Sequence, residues 1–189
     1  MEGDDVGIYT ISLVYSPAVD VEWMTFSKEE EKEDEPIKCS VVGDGSEHKV
    51  MAVVCRADYP IYRRNDRGEE FYVRFSAETI AKIAERFLRN GYQNAVNVEH
   101  IENSYIDGVN MEQFFIKNSA MGINPKGFEN VADGSLFAVY HINNEAVWEA
   151  VKDGQFTGVS LEGYFSYTTE NKELRTVAEL LDYLRNIGK

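Results

Sequence analysis

A serine between two glycines and a histidine at the end of an apolar strand are the side chains here whose type and spacing suit chemistry. Ser160 stands in Gly158-Val159-Ser160-Leu161-Glu162-Gly163. Small neighbours let a substrate backbone approach the hydroxyl and let local amides point at an oxyanion, which an exposed nucleophile needs. The stretch misses the GxSxG nucleophile elbow by one position, and an elbow must join a strand to a helix. Here Tyr164, Phe165 and Tyr167 continue a strand-like run, which disfavours an α/β-hydrolase. On this stretch alone, a strand serine with glycines at a bulge is the favoured reading. His100 closes Ala95-Val96-Asn97-Val98-Glu99-His100. Alternation there puts Val96, Val98 and His100 on one strand face, and Asn97 and Glu99 on the other. Taken alone, it is a half-buried structural histidine. His48 and His141 are the other histidines, and no HExxH or His/Cys cluster of metal-ligand spacing accompanies them, so zinc catalysis has little support. Phe137 and Val139 share the side of His141, which reads as packing. Neither a Walker loop nor a dinucleotide-binding fingerprint is present.

The elements that must position these residues are short strands with three helices. Strands are expected at 7–16, 21–27, 37–43 and 47–56, with Gly43-Asp44-Gly45-Ser46 as a hairpin turn, and at 71–75. Ser76 is an N-cap for a helix whose apolar face is Ile80, Ile83, Ala84, Phe87 and Leu88, ended by Asn90-Gly91. Strands at 95–100, 111–118 and 135–142 follow, then a short helix with Ala146, Val147, Ala150 and Val151 that stops at Asp153-Gly154. Trp148 and Phe156 anchor that helix. A strand at 157–167 precedes a capping box of Thr176 and Glu179, which opens an amphipathic helix at about 176–188.

With 189 residues, 43% hydrophobic and 28% charged, the chain reads as a single globular domain spanning 1–189. No apolar run approaches the roughly 18–20 residues of a membrane span, and the N-terminus carries no secretory signal pattern, so a cytoplasmic, membrane-free location is expected. A net charge of −14 argues against nucleic acid, whose phosphates need a cationic footprint. Arg56, Arg63, Arg64 and Arg67 interleave with acids and read as a solvated loop; the acidic run at about 28–36 reads as an exposed, mobile insertion. Cys39 and Cys55 are too few for a disulfide framework and read as reduced thiols.

Three stretches together are more telling than each alone: MAVVCRADYPIYRRNDRGEEFYVRFSAETIAKIAERF at 51–87, AVNVEH at 95–100 and EAVWEAVKDGQFTGVSLEGYF at 145–165. In this order, over roughly residues 50–167, the chain resembles the phage prohead (capsid maturation) serine protease family, which is similar in fold to the herpesvirus assemblins. The resemblance implies an α+β fold, mainly an antiparallel β-barrel ringed by about three helices. It implies a serine endopeptidase without cofactor or metal that cuts scaffold and major capsid protein precursors, and itself, inside an assembling procapsid in the host cytoplasm. By position, His100 matches the family's catalytic histidine and Ser160 its nucleophile. The second histidine of assemblins lies after the serine, and this chain has none beyond His141. A carboxylate is the alternative, and Glu162 shares the strand face of Ser160 at i+2, about 6–7 Å along the strand. Glu99 alternates to the face opposite His100; Glu170, Glu173 and Asp182 stay open. Gly163, Tyr164 and Phe165 are candidates for oxyanion amides or for walls of the substrate cleft. The C-terminal helix either closes the fold or makes a homo-oligomer contact. The alternative function is a non-catalytic virion-assembly or scaffold-binding module that keeps the protease fold, with a carboxylate-histidine metal site a distant third.

Overall fold

The computed structural model describes residues 7–14, 39–64, 67–68, 70–101 and 105–164. Strand β1 (Gly7–Val14) buries Ile8, Ile11 and Leu13. β2 (Ser40–Val41), shorter than expected, and β3 (Lys49–Cys55) form the hairpin around Gly43–Ser46, with Val41 opposite Val50. β4 (Ile61–Arg64) and β5 (Glu70–Val73) make a second hairpin, which corrects the reading of the arginine-rich stretch as a loop. Ile61 and Val73 pair across it and both are buried, and Arg56 lies over the Tyr59 ring at 3.6 Å. A four-residue strand leaves too short an alternation to stand out among charges.

Helix α1 (Ala77–Arg89) starts as Ser76 dictates, with the Ser76 hydroxyl accepting from the Thr79 amide at 3.2 Å. Ile80, Ile83, Ala84 and Phe87 are its buried face; Leu88, at the margin of that arc, is 44% exposed. Gly91, at φ +75°, takes the left-handed position after the helix. Then come β6 (Val96–Val98), β7 (Val109–Ile116), β8 (Leu136–Ile142), α2 (Glu145–Lys152) and β9 (Gly158–Tyr164). Trp148 and Phe156, flanking the turn out of α2, are both buried in the main core.

One sheet runs β2-β3-β8-β7, antiparallel throughout. β8 is its spine and is buried on both faces. Ala138, Tyr140 and Ile142 join the main core, while Phe137 stacks on Phe115 at 5.6 Å between centroids and meets Phe128 edge-on at 5.3 Å. A second sheet runs β6-β1-β9, with β1 parallel to β6 and antiparallel to β9. The class is α+β with two α-helices among the described residues. The expected closed barrel is not seen among them: three separate sheets are, and one pair is parallel, a pairing that leaves no hairpin signal. The strand at 21–27, the acidic stretch and the helix at 176–188 lie outside the described residues. No described helix is long and apolar enough to cross a membrane.

Gly134 marks where the turn before β8 meets α1. It sits at φ +87°, and a Cβ there would lie 2.4 Å from the Cβ of Ala77. Gly134→Ala therefore combines a backbone penalty with a clash and should cost roughly 1–3 kcal/mol in urea denaturation. An unchanged midpoint would show that this turn is not packed on the helix.

Candidate active site

The register of the β6-β1-β9 sheet sorts its side chains into two faces. Ile11 lies opposite Val96 and Leu161, and Leu13 opposite Val98 and Val159, giving the face turned to the core. The next row is polar: Ser12 lies opposite Ser160 on one side and Asn97 on the other, and Thr10 opposite Glu162. A shift between Ile8 and Thr10 leaves Tyr9 as an extra residue on β1. This bulge keeps Ile8 in the core while turning Tyr9 to the polar face, where its hydroxyl donates to Glu162 Oε2 at 3.4 Å. The Thr10 hydroxyl donates to the Ala95 carbonyl and ties β1 to the start of β6.

Glu162 Oε1 is the centre of that face. It accepts from Ser12 Oγ at 2.6 Å and from Asn97 Nδ2 at 2.9 Å, and lies 3.0 Å from His100 Nδ1. The carboxylate side chain is 16% exposed and the imidazole 41%. Strand alternation assigned His100 to the apolar face, and the structure corrects this. β6 stops at Val98, and Glu99 and His100 both take positive φ, 50° and 58°. The Glu99 amide donates to the Leu13 carbonyl and the Ile101 amide to the Val98 carbonyl, each at 3.0 Å. This turn brings the ring round to the side of Asn97 and Ser12. Each left-handed non-glycine residue costs roughly 1–2 kcal/mol, so the exposed ring is held against local preference.

Burial acts to raise the Glu162 pKa, but the hydrogen bonds from Ser12, Asn97 and His100, with the charge of His100, outweigh it and hold the carboxyl below its ordinary value. An imidazole that gives its Nδ1 hydrogen to a carboxylate keeps its lone pair on Nε2, and so can take a proton there.

His100 and Glu162 are thus in contact, and Ser160 shares their face. Directly opposite strand residues have Cβ atoms about 4.5–5.5 Å apart, which places the Ser160 side chain next to that of Ser12. Among the described residues no hydrogen bond joins Ser160 to His100; Ser12 is the hydroxyl at 3.0 Å from Nδ1. Ser12 is fully buried and donates to Glu162, whereas Ser160 is 9% exposed. Ser12 and Asn97 were missed as site residues. Their signal was two polar residues, Thr10 and Ser12, at alternate positions of an otherwise apolar strand, but nothing local says what they face. Glu170, Glu173, Asp182 and Phe165 lie outside the described residues. His141 lies on a sheet face rather than in the core: its ring is one-third exposed, with Nδ1 3.3 Å from Glu112 on the neighbouring strand β7, and His48 stacks on Trp148 at 4.6 Å. No three metal-ligating side chains converge among the described residues.

A carboxylate, an imidazole and a serine are the side-chain types that serine hydrolases combine, and here they lie on one sheet face. A family model described as "Putative phage serine protease XkdF" matches residues 43–170, and the chain belongs to this phage serine protease family. The match includes His100, Ser160 and Glu162, while β1 with Ser12 precedes it. No curated protein and no solved structure matches the chain.

The lowered Glu162 pKa has a consequence for stability. A carboxyl whose folded value lies below its unfolded one contributes stability in full above the unfolded value and loses it as pH falls through the folded value. Parent protein should therefore exceed Glu162→Gln in unfolding free energy at neutral pH, and the gap should close on acidification through that range. A gap independent of pH, measured by urea denaturation, would mean that the charge is not what the three donors hold.

Proposed function

We propose that this chain is a serine endopeptidase of the prohead-maturation type, with Ser160 as nucleophile, His100 as general base and acid, and Glu162 as the carboxylate that orients the imidazole. The observation that carries the reading is the 3.0 Å contact between His100 Nδ1 and Glu162 Oε1 on the sheet face that also bears Ser160. Neutral His100 takes the Ser160 proton on Nε2 as the hydroxyl attacks the scissile carbonyl. The tetrahedral intermediate collapses to an acyl-enzyme as His100 gives that proton to the leaving amine, and water, activated by the same imidazole, releases the acid. Catalytic hydrogen bonds are often long in a free enzyme and tighten with substrate, which fits a Ser160 hydroxyl not bonded to His100 here. On this reading the substrates are precursor scaffold and capsid proteins, and the chain itself, within an assembling procapsid in the host cytoplasm.

The unmade Ser160–His100 bond also favours a second reading, a non-catalytic assembly module that keeps the protease fold. Incubating precursor scaffold or capsid protein with parent, Ser160→Ala and His100→Ala separates the two. Cleavage by the parent alone is expected, with Glu162→Gln slower by up to about 10⁴-fold, the size of effect seen when an imidazole loses its orienting carboxylate. Ser160→Ala cutting as fast as the parent, or a parent that cuts nothing, would overturn the endopeptidase assignment.

A further inference from the structure

Ser12, Glu162 and His100 form a closed triangle of polar atoms. Ser12 Oγ is 2.6 Å from Glu162 Oε1 and 3.0 Å from His100 Nδ1, and Nδ1 is 3.0 Å from the same Oε1. Its protons have one good arrangement. A hydroxyl has a single hydrogen and two lone pairs, and an ionised carboxylate only accepts. The Ser12 hydrogen therefore goes to Oε1, its lone pairs face Nδ1, and Nδ1 must carry a hydrogen shared between Oγ and Oε1. With Nδ1 bare, a ring lone pair would confront the carboxylate at the same distance, and Ser12 could donate to only one of the two.

We propose that Ser12 is a positioning residue of this site: by donating to Glu162 while accepting from His100, it selects the imidazole tautomer whose basic nitrogen is Nε2 and fixes the carboxylate oxygen that orients the ring. The inference rests on His100 acting as general base. Ser12 is not itself a nucleophile, since it is fully buried with its hydrogen committed to Glu162. Asn97 contributes a second fixed donor to the same oxygen, at 2.9 Å. Without Ser12, Oε1 keeps Asn97 and His100 alone, and the tautomer preference weakens. Among the described residues, the titratable groups facing Glu162 are the imidazole of His100, from the turn after β6, and the phenol of Tyr9, from the β1 bulge, 3.4 Å from Oε2.

The test compares parent, Ser12→Ala, Ser12→Cys, Glu162→Gln and the Ser12→Ala/Glu162→Gln double variant. Cleavage of precursor scaffold protein gives kcat and KM, and carbon-13 NMR follows the Glu162 carboxyl through its titration. Ser12→Ala is expected to lower kcat about 10–100-fold with KM little changed, by analogy with the loss of a partner that orients a metal-ligating side chain. Its Glu162 carboxyl should titrate higher than the parent's, and nitrogen-15 shifts of His100 should show the tautomer bias reduced. Because Ser12 acts through Glu162, adding Ser12→Ala to Glu162→Gln should cost less than about 2-fold more, whereas a merely structural role would multiply the two losses. Should Ser12→Ala fail to fold, Ser12→Cys, close in volume but a weak donor, carries the same expectations. The proposal is overturned by an unchanged kcat, by an unchanged Glu162 titration, or by fully multiplicative losses. An active Ser160→Ala would instead sink the endopeptidase reading, and the Glu162 titration would still decide whether Ser12 holds the carboxylate.

Discussion

One oxygen atom, Oε1 of Glu162, accepts from three separate stretches of chain: Ser12 on β1, Asn97 on β6 and His100 in the turn beyond it. It can do so only if three strands meet in one register. A slip of one residue on β1 would send Ser12 into the core and bring Ile11 or Leu13 to the polar face. What forbids the slip is the opposite face, where Ile11, Val96 and Val159 are almost fully buried. Burying each such side chain is worth about 1.5–3 kcal/mol, comparable with one hydrogen bond to a charged group, and the buried Ile8, Ile11, Leu13, Val96 and Val159 outnumber the donors to Oε1. The apolar rows therefore set the register, and the polar network forms because the register already holds its members together.

The bulge at Tyr9 follows the same logic. Without an extra residue, strict alternation would put Ile8 on the face of Thr10 and Ser12, turned away from the core. Inserting one residue keeps Ile8 and Ile11 on the buried side and gives the polar face Tyr9 as well as Thr10. Apolar burial thus shapes the second contact to Glu162 too, since the Tyr9 hydroxyl reaches Oε2 from that bulge.

Local features of the sequence announced local structure well. Ser76, Asn90 and Gly91 mark the ends of α1, and the glycines at 43 and 45 mark the β2–β3 turn, because caps and turns depend on residues a few positions apart. Ser160 and Glu162 share a face for the same reason, two positions apart on one strand. The face of His100 was illegible, since alternation presumes an extended backbone and two non-glycine residues in left-handed conformation break it. Ser12 was illegible as a site residue for a different reason. Its partner Glu162 is 150 positions away, and β1 reaches β6 through a parallel pairing that no hairpin signals.

Two costs in this structure fall where the chemistry would be. Had β6 run on extended through Glu99 and His100, the ring would have followed Val96 and Val98 toward the core, out of reach of both solvent and Glu162. Turning there costs backbone energy at two residues and leaves the ring 41% exposed, on the polar side of the sheet. Asn97 carries a second cost. Its Nδ2 serves Glu162, while its buried Oδ1 has no partner among the described residues, which costs about 1–3 kcal/mol for such a group. A valine in that row would relieve this but remove a donor from Oε1. Both departures from good local structure flank the same carboxylate, and the closely packed rows behind it hold them in place. An arrangement selected for stability alone would have neither; one that must present an oriented imidazole at a sheet surface needs both.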